Sequence, residues 1–144
     1  MSEESTTPQP VEMGRRAGEA ASRRDFGAAV SIFGADAVWD LSPMGLGTYE
    51  GTAAIRSFFE DWIGVYEEYE VWDEEFVELG GGVTFAVMLQ RARLRGSRGE
   101  VTIRYGAVGV WEDGLLVRAT NHPETDIDAA RAGAERLAQQ RADG

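Results

Sequence analysis

The chain has no cysteine, a single histidine, and no apolar run approaching the length of a bilayer span. Without thiols there are no disulfides, no thiolate catalysis and no cysteine-ligated metal. The lone histidine, His122, cannot form a metal site without partners; Glu124 and Asp126 lie nearby in sequence, but no metal is expected. The polar, acidic start from Met1 to Pro10 lacks the basic region and apolar segment of a secretory signal, so a cytoplasmic location is the expectation. Positive charge is also scarce. Fourteen basic residues against twenty-five acidic ones give a formal charge of −11. Such a surface repels phosphate backbones and anionic membranes, which argues against nucleic-acid and membrane partners. No G-x-G-x-x-G follows a strand, and neither a P-loop nor H-E-x-x-H is present, so no cofactor is expected.

What is present suits one globular domain. The 144 residues are 43% hydrophobic, enough for a single core. Residues 1–10 read as a disordered tail and residues 11–140 as the domain. The most informative stretch runs from residue 69 to 122. Phe85 to Leu94 and Val101 to Trp111 are rich in Val, Ile, Tyr and Phe, with Gly96 to Gly99 between them. Asp113-Gly114 then separates the second run from Leu115 to His122. That dipeptide is a strong hairpin signal, because both residues tolerate the positive φ of a type I′ turn. The acidic segment Glu67 to Glu78, interrupted by Tyr69, Val71, Phe76 and Val77, suits a strand with one solvated face, and Gly80 to Gly82 turn it into the next.

Helices precede and follow this meander. Pro10 suits the first turn of a helix with Val11, Ala17, Ala20 and Ala21 on one stripe. Asp25 can cap a short second helix carrying Phe26, Ala29, Val30 and Phe33 and ending at Gly34, before a first strand from Ala35 to Leu41. The clearest helix is capped by Thr52; Ile55, Phe58, Phe59, Trp62, Ile63 and Tyr66 form its broad aromatic face. A closing helix starts at Thr125 or Asp126 and buries Ile127, Ala130, Ala134 and Leu137, leaving a loose tail from Gln139.

This order of elements resembles the SnoaL-like branch of the nuclear transport factor 2 superfamily, from about residue 11 to 140. The resemblance is carried by Ala35-Asp36-Ala37-Val38-Trp39, Gly51-Thr52-Ala53-Ala54-Ile55, Asp61-Trp62, Tyr66, the run Trp111 to Arg118 and the ending Asp126 to Ala130. It implies an α+β cone: a curved, mostly antiparallel sheet with helices covering the concave face, an apolar pocket between them, and a homodimer through the sheet's outer face. The family includes polyketide cyclases, ketosteroid isomerases, epoxide hydrolases, dehydratases and domains without known activity.

Strand alternation then selects the residues that face the pocket. Ala37, Trp39 and Leu41 share one face of the first strand, with Val38 and Asp40 on the other. Against the family's spacing from Asp113-Gly114, the inner positions are Arg104, Gly106, Val108 and Val110 on one strand and Val117, Ala119 and Asn121 on the next. The strand before offers Ala86, Met88 and Gln90. Phe59, Trp62 and Tyr66 join from the aromatic helix. The result is an apolar cavity with three polar groups: Gln90, Arg104 and Asn121. An inward Arg104 would orient a carboxylate, enolate or carbonyl oxygen; a bulge would instead turn it outward.

The resemblance stops short of a reaction. The isomerases' general-base carboxylate falls at Leu41 and their oxyanion-hole acid at Gly106. The hydrolases' Asp-Arg-Asp relay falls at Gln90, Met88 and Asn121. An amide is no general base at neutral pH. The remaining candidates for proton transfer are Asp40, swung inward by a bulge, and His122 near the end of its strand. The expected partner is a small apolar or carbonyl-containing ligand. Two readings stay open: cyclase-, isomerase- or dehydratase-type proton transfer, and a non-catalytic binding or dimeric interaction module.

Overall fold

The structure, a computed structural model, describes residues 9–143. The tail expected at the N-terminus lies outside the described residues except for Gln9 and Pro10. Helix α1 spans Pro10–Ser22, with proline in its first turn where no backbone donor is lost. Its inward stripe is Ala17, Ala20 and Ala21, joined by Met13; Val11 points to solvent, contrary to expectation. Helix α2, Phe26–Val30, is capped as expected: Asp25 Oδ1 accepts from the Ala28 amide at 3.2 Å.

Strand β1 covers Phe33–Asp40. Phe33 and Gly34, expected to close α2, open this strand instead, because Phe33 pairs with Leu116 and the Leu116 amide donates to Ile32 O. Pairing across the sheet outweighs the local helical pattern there. After a short 3-10 turn at Ser42–Met44 come β2, Thr48–Glu50, and helix α3, Thr52–Gly64. Gly51, at φ +85°, is the residue preceding the helix, so Thr52 is its first helical residue and not its cap.

Four long strands follow: β3 (Tyr66–Gly80), β4 (Val83–Leu94), β5 (Glu100–Glu112) and β6 (Leu115–Pro123). Asp113 and Gly114 both have positive φ, as the hairpin signal requires. Gly81 and Gly82 do likewise between β3 and β4. A Cβ on Gly82 would stand 2.6 Å from Trp111 O, so the turn is glycine for close approach as well as for φ. The six strands form one sheet in the order β2-β1-β6-β5-β4-β3, antiparallel except where β1 runs parallel to β6. This is the expected α+β cone.

Helices α1, α2 and α3 cover the inner face. The last helix, α4 (Ile127–Asp143), does something else. Along β4 the side chains alternate: Thr84, Ala86, Met88 and Gln90 face inward, whereas Val83, Phe85 and Val87 pack with Ile127, Ala130, Ala134 and Ala138 of α4. So α4 lies on the outer face, over β3, β4 and β5. The outer face expected to carry a homodimer is thus partly covered by α4. The loose tail expected from Gln139 is also corrected: the helix runs on to Asp143, and Arg141 donates to Gly81 O at 2.7 Å while pairing with Glu112. No helix among the described residues is long and apolar enough to cross a membrane.

Candidate functional site

The inner face and the helices border a partly open cavity of about 200 Å³. Its floor comes from β4, β5 and β6. The β4–β5 ladder runs without a register shift and places Thr84 opposite Gly109, Ala86 opposite Ala107, Met88 opposite Tyr105, and Gln90 opposite Ile103. Residues opposite one another share a face, so the inner positions of β5 are Ile103, Tyr105, Ala107, Gly109 and Trp111. Helix α3 contributes Phe58, Phe59 and Trp62. Met44 and Leu46 reach the cavity from the loop between β1 and β2.

Of the ligand-binding positions expected from the sequence, Trp39, Leu41, Phe59, Trp62, Met88, Gln90, Val108 and Asn121 all border this cavity. Val108 does so while packing in the α4 cluster, opposite Phe85. Tyr66 lies one ring away, its centroid 6.0 Å from that of Trp62, and does not reach the cavity.

Several expected residues do not border the cavity: Arg104, Gly106 and Val110 on β5, Val117 on β6, and the two proton-transfer candidates Asp40 and His122. Arg104 faces outward, where its Nε is 2.9 Å from Glu74 and its Nη1 is 3.5 Å from Glu124. The parity of β5 is one residue off the expected one. Val117, expected inside on β6, is the residue passed over where the β5–β6 register shifts from Val110–Arg118 to Trp111–Leu116. Asp40 stays on the outer side of β1. Its Oδ1 accepts from the Ser42 amide, the Ser42 hydroxyl and the Thr48 hydroxyl at 2.9, 2.6 and 3.1 Å, and Arg118 lies 3.3 Å from Oδ2. The Ser42 hydroxyl above all, with these other groups, holds the Asp40 carboxyl below the usual carboxylate range. It is a carboxylate engaged in fixing the β1–β2 loop. His122 borders a separate outer groove with Thr120, Asp126, Ala129 and Gly133. Neither Asp40 nor His122 borders the cavity.

The cavity's polar atoms are neutral. Trp62 Nε1 donates to Gln90 Oε1 at 2.9 Å, and Trp39 Nε1 donates to Asn121 Oδ1 at 3.3 Å. Trp111 Nε1 donates to Thr84 Oγ1 at 3.0 Å. Gln90 and Asn121 are 3% and 6% exposed, and among the described residues Gln90 Nε2 is the only buried side-chain polar atom without a hydrogen-bond partner. Two phenols complete the set. Burial pushes Tyr105 up to about 12, and burial together with the neighbouring Tyr105 and Tyr66 phenols raises Tyr69 further. Both remain protonated donors at neutral pH. Tyr105 and Tyr69 were absent from the site expected from the sequence. The Ile103–Tyr105 alternation against Thr102–Arg104 is the signal that could have placed Tyr105 inside.

A family model described as SnoaL-like domain matches residues 15–119. No curated protein matches the chain in sequence. Solved structures share the fold. A protein from Catenulispora acidiphila DSM 44928 with a ketosteroid isomerase-like fold, in complex with trimethylamine, is 13% identical with a TM-score of 0.71, over 88% of this chain and 95% of that one. An NTF2-like protein of unknown function from Burkholderia pseudomallei K96243 is 25% identical with a TM-score of 0.67, over 83% and 93% of the two chains. TerC, co-crystallised with polyporic acid, is 20% identical with a TM-score of 0.68, over 87% and 97%.

Proposed function

Because the chain belongs to the SnoaL-like domain family, we propose that its inner cavity holds a small, neutral, largely apolar organic molecule. The observation that carries this reading is the composition of the lining: apolar and aromatic side chains, a few neutral polar groups, and no Asp, Glu, Arg or His among the described residues. A charged ligand would give up its hydration there without a counter-ion. At about 200 Å³ the cavity is smaller than a typical drug-sized site, which favours a one- or two-ring molecule. Two proteins of this fold hold small organic molecules, trimethylamine in one and polyporic acid in the other, so the fold can form small-molecule sites.

Binding is favoured over proton transfer because the two candidate bases, Asp40 and His122, do not border the cavity. Its ionisable side chains are phenols that burial keeps neutral, and a neutral phenol is a hydrogen-bond donor, not a base.

Trp39, Trp62 and Trp111 all border the cavity and report on its contents. Titration with the bicyclic ketone 1-tetralone should change tryptophan emission saturably. Ala107→Phe, which projects a ring into the cavity from β5, should abolish the response with the far-ultraviolet dichroism unchanged. No saturable response in the parent, or the same response in the variant, would refute the reading.

A further inference from the structure

We propose that the Gln90 amide is the element of this cavity that selects its ligand, taking a carbonyl oxygen in preference to hydrocarbon. The inference rests on the cavity being a ligand site and specifies what that ligand must carry.

The orientation of the amide is fixed by chemistry. An indole N–H can only donate, so the Gln90 atom 2.9 Å from Trp62 Nε1 has to be the carbonyl oxygen Oε1. The –NH2 group is thereby turned away from Trp62. Gln90 borders the cavity and is 3% exposed, and its Nε2 has no partner. A buried donor without an acceptor is costly, and such groups in folded proteins are rare enough to require a reason. No neighbour on the sheet supplies the missing acceptor. Gln90 pairs with Val71 on one side and Ile103 on the other, both apolar, and both border the cavity. A ligand oxygen is the acceptor the site lacks.

The same surroundings define that oxygen. It is an acceptor, because the group facing it only donates. It belongs to a neutral molecule, because among the described residues no cation borders the cavity to hold a carboxylate. Tyr69 and Tyr105 lie one step along the inner face on the strands flanking Gln90: Tyr69 opposite Ala92 and Tyr105 opposite Met88. They keep that end of the cavity free of charge. A ketone, quinone or lactone carbonyl matches this arrangement; an amine or a carboxylate does not. The side chain acts as a specificity element, with no bond made or broken.

The test compares two molecules that share a skeleton, 1-tetralone and tetralin, by calorimetric titration of the full chain. The parent should bind the ketone about tenfold more tightly, the worth of one neutral hydrogen bond to a donor otherwise unpaired. Gln90→Leu should erase that ratio while keeping affinity for tetralin. Gln90→Met, closer in length and flexibility, should do the same and guards against a packing fault peculiar to leucine. Equal affinities in the parent would overturn the inference, as would a ketone preference that survives both substitutions, in each case leaving the cavity as a binding site. Binding of neither molecule would overturn the inference together with the reading of the cavity on which it rests.

Discussion

The two faces of β4 are put to opposite uses. On the outer face Phe85 is fully buried against α4, and the Arg131 guanidinium sits 4.7 Å from the centre of its ring while pairing with Glu75 at 2.7 and 2.9 Å. Charges ring that face: Arg104 with Glu74, Arg91 with Glu70, Arg93 with Glu67 and Glu68. On the inner face, one residue away along the same strand, no charged side chain among the described residues borders the cavity. The outer face is a core closed by a helix. The inner face is a surface kept for another molecule. One strand can serve both purposes because a sheet residue sees only its own side.

The comparison predicts where substitutions act. Phe85→Ala removes a ring from the closed side and should cost about 3–5 kcal/mol of stability, against about 2 kcal/mol for Met88→Ala, whose side chain already borders a cavity and so leaves less new void. Urea unfolding of the two variants reads the difference; equal losses would mean that the two faces are packed alike. Next in size is Trp62→Phe, which leaves Gln90 Oε1 without its donor and should cost about 1 kcal/mol. It also releases the amide to turn, so the preference for ketone over hydrocarbon should shrink with no change to Gln90 itself. The smallest effect belongs to Asp40. Its folded pKa is depressed, so its contribution is present above the ordinary carboxylate pKa and disappears as pH falls through the lowered folded value. Asp40→Asn should therefore flatten the acid limb of the stability profile by less than about 1 kcal/mol and leave the calorimetric ketone preference intact. Loss of that preference would mean that Asp40 acts on the cavity after all.

Much of the architecture was legible in the residues. Asp113-Gly114, the glycines at 80–82 and the aromatic period of α3 are local signals with local causes, and each produced the turn or helix expected, except that α3 ends at Gly64 and Tyr66, expected on its face, opens β3 instead. Facing on β1 and β4 was legible too, because Asp40 on β1 and the arginines at the end of β4 mark the solvent side. Facing on β5 was not. Its first half does alternate, Ile103 and Tyr105 against Thr102 and Arg104, but from Gly106 to Trp111 small or apolar residues fall at both parities, because α4 covers one side and the cavity the other. Burial on both faces erases the alternation that a half-buried strand displays. Counting back from Asp113-Gly114 then gave the wrong parity and put Arg104 inside. Counting across the unshifted ladder from Gln90 gives Ile103 and Tyr105. The register shift at Val110–Trp111, which passes over Val117, has no mark in the sequence at all.

Helix α4 follows every strand it covers. During synthesis the hairpins of β3, β4 and β5 leave the ribosome before the segment that hides Val83, Phe85 and Val87. For the interval in which some seventeen residues are still being added, about one to three seconds at ordinary elongation rates, the nascent sheet carries a bare greasy face. A chain shortened before Ile127 carries that face permanently. It should meet chaperones, or other copies of itself, before it meets any ligand.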